Sequence, residues 1–224
     1  EGNGEYPPTT GTVILGDDIG GLQAQGVIQN IDLLKQSANQ GLAVARTDVD
    51  NLVRRLPLLM RTNDGWVASY GTEVLKILAG ADTYVIKTNI NGIEEIRVKG
   101  LPPVKVDSLG RKWISWVDTP QTNLAEMDVE NKFVFVGFTA KGIMPQIATP
   151  AGLLEPHKIQ AALAESILIQ DSPHIPDYAI AVEAVLLISL ILLSWVLINI
   201  FGISLGILFT SLLFFSTAGV GYYL

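Results

Sequence analysis

Four ionisable side chains stand within eight residues of one another: Asp48, Asp50, Arg54 and Arg55. An Arg pair offers planar, multidentate donors to a carboxylate or phosphate, and two Asp offer hard oxygens to a cation. The same four residues also suit a turn closed by Asx bonds and an internal Asp–Arg pair that fixes register, so a ligand-facing and a structural reading both stand. A second candidate is the turn Thr139-Ala140-Lys141-Gly142, which follows the apolar run 132–138. Ligands of open α/β sheets bind beyond the carboxyl ends of strands, and the N–H groups of a Gly-containing turn, helped by Lys141, can hold an anion. The G-x-x-x-x-G-K-[ST] spacing of a P-loop is missing, and an ordinary strand-to-loop junction reads equally well there.

Other chemistry is sparse. Asp17-Asp18 suits a solvated turn, or a cation shared with Asp48 or Asp50. His157 and His174 are the only histidines and lie seventeen apart, which suits no zinc pair. There is no cysteine, hence no disulfide or thiolate metal site. The expectation is no metal, no cofactor and, with no nucleophile elbow, Ser-His-Asp order or paired catalytic acids, no enzyme. Acidic residues outnumber basic ones 22 to 15, for a formal charge of -7. That argues against nonspecific nucleic-acid binding and offers no polybasic grip on anionic lipid.

The elements that must position these residues are an α/β set. Residues 1–11 read as a polar, Gly- and Pro-rich lead-in. Strands are expected at 12–16, 41–46, 52–60 and 113–117, with a β-meander over 84–106. Asn63-Asp64-Gly65 is a turn signal, and the spacing of apolar residues predicts a helix between Trp66 and Ala79. Lys132-Phe133-Val134-Phe135-Val136-Gly137-Phe138 reads as a strand covered on both faces. Pro156 opens a helix through Ile167. The fold class is therefore α/β, with a mixed, partly parallel sheet flanked by helices, in a head spanning 12–177.

Beyond Tyr178 the chain changes solvent. Residues 179–198 carry one charge, Glu183, and 200–224 carry none. A bilayer core of about 30 Å needs about twenty helical residues, and lipid-exposed backbone at that depth must be helical. Two transmembrane helices, 178–199 and 200–224, joined near Asn199 and Phe201-Gly202, form a tight hairpin. Glu183, about one turn inside the first span, is either a functional intramembrane carboxylate or one that reaches the headgroups. No basic residue lies between the spans, so charge does not orient them. Gly202, Gly206, Gly219 and Gly221, with Ser204, Ser211 and Ser216, make small surfaces for close helix packing, which motivates a homo-oligomer. The chain begins with Glu1 and stops inside or just after its second span, so both ends read as cut from a longer protein.

Four segments resemble one family, the CHASE2 domains. Asp48 to Pro57 (DVDNLVRRLP) resembles D-x-D-G-x-x-R-R-x-P, and Ser69 to Leu75 resembles the start of the family's small-residue helix. Phe133 to Gly142 (FVFVGFTAKG) resembles its VLVGATA-G strand and turn, and Thr149-Pro150 with Pro156 to Leu168 resembles its TP…PG-E-HA segment. Asn51 stands where the family has Gly; His157 and Gln160 stand where it has Gly and His. The resemblance implies a bacterial sensor head on the periplasmic or extracellular side of the inner membrane. It also implies three membrane helices, of which two are here, the first entering the cytoplasm and the second returning, and a cytoplasmic output domain such as a cyclase or kinase. The ligand is a small molecule or a partner. The alternative is a structural or accessory subunit of a larger membrane assembly, through which no signal passes.

Overall fold

The computed structural model describes residues 6–7, 11–116, 120–122, 129–140, 142, 144–170 and 178–223. It divides into two compact units, Glu1–His174 and Ile175–Leu224.

In the first unit eleven strands among the described residues form four small sheets rather than one. The largest has the order β1-β6-β7-β8. Its β1 (Gly11–Leu15) runs parallel to β6 (Thr83–Asn89), and β6, β7 (Gly92–Val98) and β8 (Val104–Lys105) follow as the expected meander. A second sheet joins β2 (Leu22–Gln23), parallel, to the hairpin of β4 (Leu59–Thr62) and β5 (Gly65–Ala68). β3 (Arg55–Pro57) pairs antiparallel with β9 (Arg111–Trp113), and β10 (Ile147–Thr149) with β11 (Gly152–Leu154). The helices are α1 (Asp32–Ser37), α2 (Tyr70–Leu78) and α3 (Pro156–Ile169).

Five sequence expectations are corrected: the run 52–60 is divided between β3 and β4 in different sheets, among the described residues only Trp113 of 113–117 is in a strand, and three further differences concern helix start and strand identity. Trp66, Val67 and Ala68 belong to β5, so the helix begins only at Tyr70. The Asn-Asp-Gly turn folds them back on Met60 and Leu59, and cross-strand pairing overrides the helical spacing. The run 41–46 makes one parallel bridge, Leu42 to Ser69, and no strand. The run 132–138 is not a strand either. Apolar content does not supply a neighbouring edge, and this segment packs on helices instead. Phe135 meets Tyr70 edge to face at 5.7 Å, and Gly137 crosses the His157 ring so closely that a Cβ would lie 2.1 Å from its Cγ.

The main core gathers Leu56, Leu58, Leu59, Leu75, Tyr84, Ile96, Ile159 and Leu163 from the sheets, α2 and α3. Directional bonds fix α3 within it. Gln160 accepts from the Gly71 N–H at 3.0 Å and donates to the Val44 carbonyl at 3.3 Å. Ser166 accepts from the Ser115 N–H at 2.9 Å. Under α2, Glu73 takes a hydrogen bond from the Tyr84 hydroxyl at 2.9 Å and an ion pair from Lys76 at 2.6 Å, so the buried carboxylate is compensated on both oxygens.

The second unit is the helical element α4 (Ala179–Tyr223), interrupted at Gly202 with φ 77° and ψ 169°. That combination is essentially restricted to glycine. Residues eight apart in an unbroken helix lie about 12 Å apart along its axis. Here a Cβ on Gly206 would sit 2.7 Å from the Ile198 Cα, so the second limb doubles back on the first. The less exposed positions agree: Leu190, Ser194 and Leu197 on one limb, Gly206, Thr210 and Leu213 on the other, both at helical spacing and arranged about Gly202. The limbs' remaining apolar side chains are largely exposed, and the stretch Ala179–Ser216 is long and apolar enough to cross a membrane.

Candidate functional site

The charged cluster is built on a turn. The Asn51 N–H donates to the Asp48 carbonyl at 3.0 Å and the Asp48 N–H to the Leu52 carbonyl at 2.8 Å. Asn51 sits at φ 63°, the left-handed region open to Gly and tolerated by Asn. This explains how Asn replaces the glycine of the motif. Downstream, the β3–β9 pairing sets Arg55 opposite Trp113 and Pro57 opposite Arg111. The Arg55 guanidinium lies 5.0 Å from the Trp113 ring centroid.

The acids and bases then consume one another. Arg54 holds Asp50 by two hydrogen bonds, 2.9 and 2.6 Å. Arg55 binds Asp48 and, at 3.1 Å, Asp107. Arg111 donates to Asp107 from Nε at 2.8 Å, and the Arg111 and Leu109 N–H groups bond its other oxygen. Three Asp face three Arg, so the set is neutral. Its partly buried inner pairs tie the 48–54 loop to β3, β9 and the 107–111 turn. The Arg54 hydrogen bond holds the exposed Asp50 carboxyl down to about 2. With its charges engaged internally, this arrangement acts as a clamp on loop and strand register.

Asp18 is likewise engaged, by a bidentate Arg61 at 3.0 and 2.6 Å, and Arg61 in turn lies over Trp66. The described residues contain no group of His, Asp and Glu arranged to hold a metal ion. His174 and Lys141 lie outside the described residues. Glu183 lies on the first limb of α4, exposed on the helix surface.

Thr139 leads to a different place. It lines a cavity of about 200 Å³ together with Phe138, Ala140, Met144, Gln146 and Glu155. Glu155 immediately precedes α3, is 8 % exposed, and shares its Oε1 with the Gln146 amide at 3.4 Å. Lys158, one turn on, approaches Oε2 at 2.9 Å and holds the carboxyl below its usual range. Beside it, burial lowers His157 below the ordinary histidine value. Sequence reasoning missed Gln146, Glu155, Asp107 and Arg111. The i, i+4 spacing of Asp107 and Arg111 around a Gly turn was the available signal for that pair. Nothing local marks Gln146 and Glu155, which meet through the β10–β11 hairpin.

A family model for the CHASE2 domain matches residues 11–201, which takes in the described head and the first limb of α4. No curated protein and no solved structure matches.

Proposed function

The chain belongs to the CHASE2 domain family, whose members are extracytoplasmic sensor domains rather than catalytic ones, and on that premise we propose that it is the membrane-anchored input module of a bacterial receptor. The observation that carries this reading is the continuity of a family match running from the α/β head into a helix apolar enough to span a bilayer. In this reading the head lies on the periplasmic side of the inner membrane. The two limbs of α4 each cross the bilayer, and the turn at Gly202 faces the cytoplasm. The module works as a homo-oligomer, in which binding at the head displaces α3 and thereby the helices that follow it ten residues later in the chain.

Transmission is tested with a nitroxide at the exposed Ser211 (Ser211→Cys; the chain has no native cysteine) in lipid nanodiscs. Electron–electron distance measurements compare the otherwise unchanged protein with Gln160→Ala, which releases α3 from Gly71 and Val44. A transmitting oligomer gives an inter-protomer distance whose distribution shifts in the variant. An unchanged distribution, or none at all, favours an accessory subunit through which no signal passes.

A further inference from the structure

We propose that Lys112 is a reactive amine of the head and forms a reversible imine with small aldehydes. The β3–β9 register sets Lys112 opposite Leu56, which is wholly buried in the main core. Side chains alternate across a strand, so Arg111 and Trp113 join Arg55 on the face of the Asp–Arg cluster, and Lys112 shares the other face with Leu56. Two residues away on either side, Ile114 belongs to the same core and Gly110 lies against Ile93 and Ile96. Lys112 is accordingly only 7 % exposed. The acids of the neighbouring cluster are taken up by Arg54, Arg55 and Arg111, and among the described residues no carboxylate pairs with Lys112. Burial, unopposed by any acid, lowers this amine below the usual lysine range. Its tip is nevertheless open. Among the described residues the enclosed polar atoms without a hydrogen bond are Arg55 Nε and Glu155 Oε2, and Lys112 Nζ is not one of them, so it keeps a face to solvent.

Other lysines differ. Lys35, Lys76, Lys87 and Lys158 each stand 2.6 to 3.0 Å from a carboxylate, which favours the ammonium. Lys99 and Lys105 are exposed to water. Only a neutral amine attacks a carbonyl, and desolvation is what makes a lysine neutral near pH 7. The amine lone pair adds to the aldehyde carbon, the C=O bond opens to a carbinolamine, and loss of water leaves a C=N bond. Both amine hydrogens leave in that water, so amine and aldehyde suffice. The imine carries no obligatory charge, and the apolar surroundings that disfavour the ammonium tolerate it.

The full chain in nanodiscs is treated with butyraldehyde at neutral pH, with and without cyanoborohydride. Peptide mapping by mass reads each amine separately, the α-amino group included. With the reductant, Lys112 is alkylated at least tenfold faster than Lys87 or Lys158 and severalfold faster than Lys99 and Lys105. Without it, the adduct at Lys112 disappears on dilution. In urea the preference for Lys112 is lost, because burial sets it. Alkylation of Lys112 no faster than that of Lys99 and Lys105, an adduct that survives dilution without reductant, or a preference that persists in urea overturns the proposal. The chemistry belongs to the head alone, so it stands or falls apart from signal transmission and from the spin-label experiment.

Discussion

The Gly71 N–H at the start of α2 donates to the side-chain Oε1 of Gln160 in α3, 89 residues away, at 3.0 Å. The two helices are so close here that a Cβ on Gly71 would lie 2.7 Å from the Gln160 carbonyl oxygen. One buried side-chain amide thus supplies an acceptor to a helix start whose N–H donors lack intrahelical partners, and sets the distance between two helices. Gln160→Ala leaves the Gly71 N–H and Val44 carbonyl short of partners and costs about 1–3 kcal/mol. Gly71→Ala must push α3 away, with a loss of about 1–3 kcal/mol from overpacking. Chemical denaturation of the two variants measures both.

Arg55→Ala removes one partner from each of two acids, Asp48 and Asp107, of which Asp107 keeps Arg111 and Asp48 keeps the more distant Arg54. The expected loss is about 2–4 kcal/mol, below that for a wholly buried pair because the Arg55 side chain keeps 22 % of its exposure. Arg54→Ala, whose partner Asp50 is 45 % exposed, loses far less. The Asp50 contribution has a definite pH sense. Its folded carboxyl titrates near 2, against about 4 in an unfolded chain, so its stabilisation is complete above the unfolded value and fades as pH falls towards 2. Acid melts of Asp50→Asn show a shallower decline over that interval.

Burial lowers His157, so the unfolded chain takes up its proton first as pH falls. Stability associated with this group is complete above about 6.5 and is lost as pH drops through the folded value. Since Gly137 rests on the imidazole, the loss is local to that contact. The protection of residues 132–140 against hydrogen exchange, taken relative to the intrinsic rate at each pH, falls between pH 7 and 5, and His157→Gln removes that fall.

Gly202→Ala has room for its Cβ but not the backbone conformation, since φ 77° with ψ 169° is reserved for glycine. Gly206→Leu has neither the space against Ile198 nor a way to move without parting the limbs. Both variants separate the two halves of α4. The distance between spin labels at Ser189→Cys and Ser211→Cys rises in each.

What was legible in the sequence was what local chemistry dictates. Asn63-Asp64-Gly65 announced the β4–β5 turn, Pro156 the start of α3, and Gly202 the break in α4. The Asp–Arg spacing around residue 50 allowed either a ligand-facing patch or mutual pairing, and the four side chains pair with one another. What was not legible depends on partners far along the chain. Asp107 reaches Arg55 across 52 residues because β9 pairs with β3. The run 132–138 has a strand's composition, yet the positions of Tyr70 and His157 decide where it rests. Thr139 was marked as part of a turn that could hold an anion or serve as an ordinary strand-to-loop junction; it lines a cavity together with Glu155, the residue just ahead of α3.

The account stands most directly on where the head lies. Asn91→Cys, at the exposed tip of the β6–β7 turn, and Asn199→Cys, beside the break in α4, are each the sole cysteine of their variant. Intact cells are treated with a membrane-impermeant maleimide before and after permeabilisation of the inner membrane. The account predicts that Asn91→Cys is labelled in both cases and Asn199→Cys only afterwards. Labelling of Asn91→Cys only after permeabilisation would contradict it.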